Sequence, residues 1–155
     1  MWLTFISWLK NTVFPFLVPT VPIIVGEPSM PKPVIAIINS STVLKDSDIT
    51  PIVQALQIQV TNHFAPAWGI DATLIQIKQG HTPPLGSWWM IITDDSSMAG
   101  ALGFHDETPE GMPEGHVFAK TDMQNGNLWS VTISHELTEL LLNPDINRLF
   151  DNQYR

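Results

Sequence analysis

The run His135-Glu136-Leu137-Thr138-Glu139 holds the residues of this chain whose types and spacing could do chemistry. On a helix of 3.6 residues per turn, positions 135 and 139 lie one turn apart on the same face, so an imidazole and a carboxylate can approach one ion. The run nearly reproduces the metal-binding pattern His-Glu-x-x-His, in which two imidazoles hold a metal and the Glu accepts a proton from water. Glu139 stands where the second histidine belongs. Glu136 projects between the polar face and an apolar stripe of Ile133, Leu137, Leu140 and Leu141, from where it could reach an ion-bound water. An ion that acidifies water, with a carboxylate to take the proton, is what metal-assisted hydrolysis requires. Asp145 lies ten residues after His135, and His105, Asp106 and His116 offer further ligands from the preceding segment. The plainer alternative is a solvent-facing amphipathic helix, on which polar residues opposite a leucine stripe are expected anyway.

Such a site needs elements to position it. Residues 34–39 (VIAIIN) form a continuous apolar run, which predicts a buried strand. Asp48 can cap a helix from about residue 49 toward Phe64, with Pro51 in its first turn and Pro66 and Gly69 ending it. Residues 71–78 alternate and predict a second strand. Residues 88–93 (WWMIIT) predict a third, buried strand. Residues 94–115 read as one long loop, a length that in a small domain is often functional. Residues 116–121 predict a short strand at a sheet edge. Asn125-Gly126 is a turn signal. Asn127 can cap the last helix, about 128–142, which Pro144 stops. The expected fold class is therefore α/β: a small mixed sheet of about four strands with two main helices, spanning residues 34–155.

Residues 1–33 differ from the rest. They are apolar, carry Trp2, Phe5, Trp8, Phe14 and Phe16, and are broken by Lys10 and by Pro15, Pro19 and Pro22. A membrane-spanning helix needs ~20 continuous apolar residues, which the lysine and prolines oppose. A secretory signal would want an early positive charge and a small-residue cleavage site. The expectation is an extended apolar arm packed on its own domain or on other protein subunits, with membrane contact as the alternative. The 155 residues allow one core of ordinary size. Fifteen acidic against seven basic residues give a net charge of −8, which argues against direct nucleic-acid binding. With no cysteine, any metal must be held by His, Asp, Glu or carbonyl oxygen.

The strand order and the string from His135 to Asp145 together resemble a minimal zinc peptidase of the metzincin type, a zincin-like fold. The resemblance implies that His135 and Asp145 are zinc ligands, that Glu136 is the general base, and that Glu139 fills the second ligand position with a different residue type. Leu142 replaces the family's Gly, whose role is to let the chain turn after the helix; Asn143-Pro144 offers that turn by another route. Only ten residues follow Asp145, and no Met-containing turn is evident among them. The chain also resembles small phage and bacterial proteins of unassigned activity, described as peptidase-like or virion proteins. That likeness rests on residues 101–111 (ALGFHDETPEG), 117–121 (VFAKT) and 131–147 (VTISHELTELLLNPDIN). It implies a place in a virion or the host cytoplasm rather than in a membrane.

Glu139 alters the expected chemistry. Glutamate can ligate zinc at ~2.0–2.2 Å, but one imidazole with two carboxylates cancels the ion's charge and weakens it as a Lewis acid. Oxygen-rich ligation also favours calcium or manganese over zinc. His105 as a further ligand would return nitrogen character, at the risk of closing the open position that catalysis needs. Two functions follow: a zinc-dependent peptidase or other hydrolase, and a phage virion protein (a minor capsid or cement component) anchored by residues 1–33.

Overall fold

Val34–Asn39 forms strand β1, and Ser40 N–H continues its ladder by donating to Ile92 C=O at 2.9 Å. The computed structural model describes residues 32–97 and 100–146. Of the expected apolar arm only Lys32 and Pro33 fall within that range, and both are tied to the domain. Lys32 pairs with Asp71, and Pro33 C=O accepts from Thr73 N–H at 2.9 Å. The rest of the expected arm, residues 1–31, lies outside the described residues. No helix among those described is long and apolar enough to cross a membrane.

Strands β2 (Thr73–Ile77), β3 (Trp88–Thr93), β4 (Gly103–Glu107) and β5 (Pro113–Phe118) join β1 in a five-stranded sheet of order β2-β1-β3-β5-β4. All neighbours are parallel except β4 and β5, which are antiparallel. Helix α1 (Asp46–Ile58) runs on through a wider-wound π segment, Gln59–Phe64, into the single turn α2 (Ala65–Trp68). Helices α3 (Ala119–Gln124) and α4 (Trp129–Leu142) follow β5.

The two helical arms share one face of the sheet. Ile35, Ile37, Leu74, Met90, Ile92 and Val117 pack there against Ile49, Val53 and Leu56 of α1 and Ile133, Leu137, Leu140 and Leu141 of α4. Each such side chain contributes roughly 1.5–3 kcal/mol by leaving water. Strand alternation sends Ile38, Ile75, Trp89, Ile91 and Phe104 to the other face, where they are only partly buried. That is why β1 and β3 read as unbroken apolar runs: both of their faces carry apolar side chains.

Several expectations need correction. The sheet has five strands, because β4 forms inside the supposed loop 94–115. Its sequence, GFHDE, carries no apolar alternation; pairing with β5 makes it a strand. The strand expected at 116–121 spans Pro113–Phe118 and is interior, leaving β4 at the edge, while residues 119–124 are helical. Helix α1 begins at Asp46, with Asp48 accepting Lys45 N–H at 2.8 Å. Pro66 does not stop the helix: it follows directly on the π segment, and the helical run continues to Trp68. Gly69, left-handed at φ 72°, ends it. Leu128, not Asn127, is the N-cap of α4.

Candidate metal centre

Helix α4 and the edge strand β4 meet at Gly103. A side chain there is impossible without movement: a Cβ would lie 2.7 Å from the His116 carbonyl oxygen and 2.8 Å from Glu136 Cγ and Oε1. Glycine inside a strand often marks such a contact. It is the signal in the sequence that marks this position. With Gly103 against Glu136, the next residue on the same face of β4, His105, reaches the polar side of α4.

Three ligand atoms then converge. One each from His105, Glu136 and Glu139 lie within 4.8 Å of one another. His105 Nδ1 is 3.4 Å from Glu139 Oε2 and 4.0 Å from Glu136 Oε2. On the other side of the same carboxylate, His135 Nε2 is 3.2 Å from Glu139 Oε1. Glu139 thus stands between two imidazoles, one from its own helix and one from the edge strand.

The environments of these groups differ sharply. The His135 side chain is 64 % exposed and that of Glu139 45 %, whereas that of Glu136 is 7 % exposed. Glu136 Oε2 and His105 Nε2 are buried with no hydrogen-bond partner. Burial pushes the Glu136 carboxyl up from its ordinary 4.5 to about 7; His135 pulls against that shift and the charge of Glu139 adds to it. An open cavity of about 430 Å³ adjoins the group, lined by Leu102, Gly103, Val131, Thr132, His135 and Glu136.

The other residues singled out in the sequence fall elsewhere. Asp145 is exposed in the turn after α4 and is not part of the converging group. His116 lies on the opposite face of the sheet from His105, stacked on Phe104 at 4.5 Å and paired with Glu114 at 3.3 Å. The carboxylates of Asp94, Asp95 and Asp106 are not part of the converging group either. Asp94 accepts from the Ser41 and Thr42 hydroxyls and from Thr42 N–H, Asp95 pairs with Lys120 at 3.0 Å, and Asp106 accepts Glu107 N–H. Ser134 donates to Gln59 Oε1 at 2.9 Å, tying α4 to the π segment.

The donor set suits a divalent cation. The converging set is one imidazole and two carboxylates, ligands accepted by zinc and manganese alike. Tetrahedral ligation at ~2.0–2.1 Å puts neighbouring ligand atoms ~3.3 Å apart. The 3.4 Å from His105 Nδ1 to Glu139 Oε2 matches that spacing, and the 4.0 Å from His105 to Glu136 leaves Glu136 one step further out, while His135 meets the other oxygen of Glu139 and lies outside the converging group. One feature opposes tight binding. A ligating His usually donates its other N–H to an acceptor, and His105 Nε2 has none.

Comparison of the chain with protein-family models, with curated proteins and with solved structures gave no match in any of the three.

Proposed function

We propose that this chain binds a divalent cation at the point where His105, Glu139 and Glu136 converge, held chiefly by His105 and Glu139, and uses it to hydrolyse peptide substrates, in a site organised like that of a zincin. The observation that carries the reading is the convergence of His105, Glu136 and Glu139 from a strand and a helix onto one point, with Glu136 buried and one of its oxygens unpartnered. The imidazole absent from position 139 is replaced in space by His105. Asp145 is left out of this ligand set, since it is exposed and apart.

When bound, the cation would supply positive charge that acidifies water. Glu136 holds the proton that is removed. Burial holds its carboxyl up, the charge of a bound cation would favour the ionised form, and as a carboxylate it can accept a proton and then return it to a leaving amine. The zinc, manganese or calcium choice follows from nitrogen content, and one imidazole with carboxylates is a set that zinc and manganese both accept.

A peptide is the favoured substrate class because β4 is an edge strand. An edge presents unpaired N–H and C=O groups to which an extended chain can add as another strand. The exposed Val131 at 62 % and the partly buried Leu102 give the adjoining cavity an apolar wall.

The test separates base from ligand. Chain purified without chelator is expected to carry about one equivalent of metal by elemental analysis, lost in His105→Ala and in Glu139→Gln. Glu136→Gln should keep the metal and lose peptide hydrolysis by at least ~100-fold. Loss of metal in Glu136→Gln would make Glu136 a ligand, and equal metal in all variants would remove the site.

A second reading rests on the apolar, proline-broken sequence of residues 1–33. In it the chain is a virion structural protein on a zincin-like scaffold, held to other subunits by that segment. Removing residues 1–30 should then abolish co-sedimentation with particles while leaving metal content unchanged.

A further inference from the structure

We propose that His105 couples peptide docking to cation capture, so that each strengthens the other; this rests on the cation-dependent peptide hydrolysis argued above. Phe118 N–H donates to Leu102 C=O at 3.0 Å, and Thr108 N–H donates to Met112 C=O at 2.8 Å. The register pairs Phe104 with His116, His105 with Gly115 and Asp106 with Glu114. In an antiparallel pair, bonded and non-bonded positions alternate. Leu102, Phe104, Asp106 and Thr108 therefore bond inward to β5. Gly103 and His105 point their own N–H and C=O outward, away from β5.

His105 thus serves two surfaces at once. Its imidazole turns toward Glu139 and Glu136 beside α4. Its peptide groups line the outer edge of the sheet, where no strand pairs with β4 among the described residues. Glu107 cannot share this role, because its N–H is taken by the Asp106 carboxylate at 2.8 Å. Gly103 has free peptide groups but no side chain to give a cation. His105 alone on this strand joins the two.

A strand of five residues, bonded on one side only, retains conformational freedom at its outer edge. A docked peptide that pairs with His105 N–H and C=O fixes that backbone, and with it the base of the imidazole. A cation that takes the imidazole fixes the same backbone from the other end. Whichever binds second meets a residue already ordered. Linkage then requires equal effects in both directions. Ordering one residue is worth about tenfold in an equilibrium constant.

The probes are Zn²⁺ in a chelator buffer and the hexapeptide acetyl-Lys-Val-Thr-Val-Thr-Lys-amide, whose positive ends suit a chain of net charge −8. A control peptide N-methylated at alternate residues cannot pair along one side. Titration calorimetry on the full chain measures Zn²⁺ affinity with and without saturating peptide, and peptide affinity with and without Zn²⁺, with peptide integrity followed by mass spectrometry. Both affinities are expected to rise about tenfold and by equal factors. The N-methylated peptide should leave Zn²⁺ affinity unchanged. In His105→Ala the unmodified peptide should bind equally well with or without Zn²⁺. If Zn²⁺ and peptide both bind but neither alters the other, or if the peptide does not bind, the coupling is overturned and the cation site stands. If the chain binds no Zn²⁺, the functional reading itself falls and takes the coupling with it.

Discussion

Glu136 buries a carboxyl without a partner for one oxygen, and its response is to keep a proton into the neutral range. The unfolded group titrates near 4.5 and the folded one at about 7. Between those values the native chain holds more protons than the unfolded chain. Stability therefore falls as pH rises from 4.5 through 7 and levels off above. Glu136→Gln has no proton to lose, so its stability relative to the parent chain should grow across that window, read as urea midpoints at half-unit pH steps. A constant difference from pH 4 to pH 8 would show that Glu136 does not titrate as placed. The sequence carried part of this site. Once 129–142 is a helix, His135 and Glu139 must be neighbours, because a helix brings residues four apart together. It offered His105 as a further ligand, but not the strand that carries it, because the approach of His105 to Glu139 depends on which strand pairs with β5. Nor could it exclude Asp145, because a fixed offset along the chain says nothing of how the chain turns after α4.

At the scale of elements, the parallel strands were legible and the antiparallel one was not. β1 and β3 are written in their own residues as apolar runs. β4 is written in its partner: Gly-Phe-His-Asp-Glu becomes extended only because β5 lies beside it. The junction after β1 follows a different rule. Asp94 at the end of β3 gathers the Ser41 and Thr42 hydroxyls and Thr42 N–H, and these donors hold its carboxyl down at about 2. The sign here is opposite to that of Glu136. The stabilisation is complete above about 3.8 and is lost as pH falls through about 2. Asp94→Asn keeps the shape but removes the charge that strengthens these bonds. It should destabilise the domain by about 2 kcal/mol at pH 7 in a chemical melt. The deficit should shrink below pH 3, where the parent carboxyl also becomes neutral.

Across the whole molecule, one sheet face carries the core and the site grows from the rim of that same face. The buried side chains of β1, β3 and β5 anchor α4, and α4 in turn brings Glu136 and Glu139 to β4. Leu137, fully buried on the opposite side of α4 from His135, belongs to both tasks. Leu137→Ala should cost about 2–5 kcal/mol of stability in a chemical melt. Residue 103 carries the larger lesson. The separation between the sheet's rim and the last helix is gauged by a hydrogen atom, and a methyl group in its place would act as a wedge. Gly103→Ala is expected to lose about 1–3 kcal/mol and, at temperatures where it remains folded, to bind metal more weakly than the parent chain; unaltered melting and metal content would mean that the rim can yield. The two halves of the centre come from chain segments some thirty residues apart, and they stay in register only while that smallest of side chains lies between them.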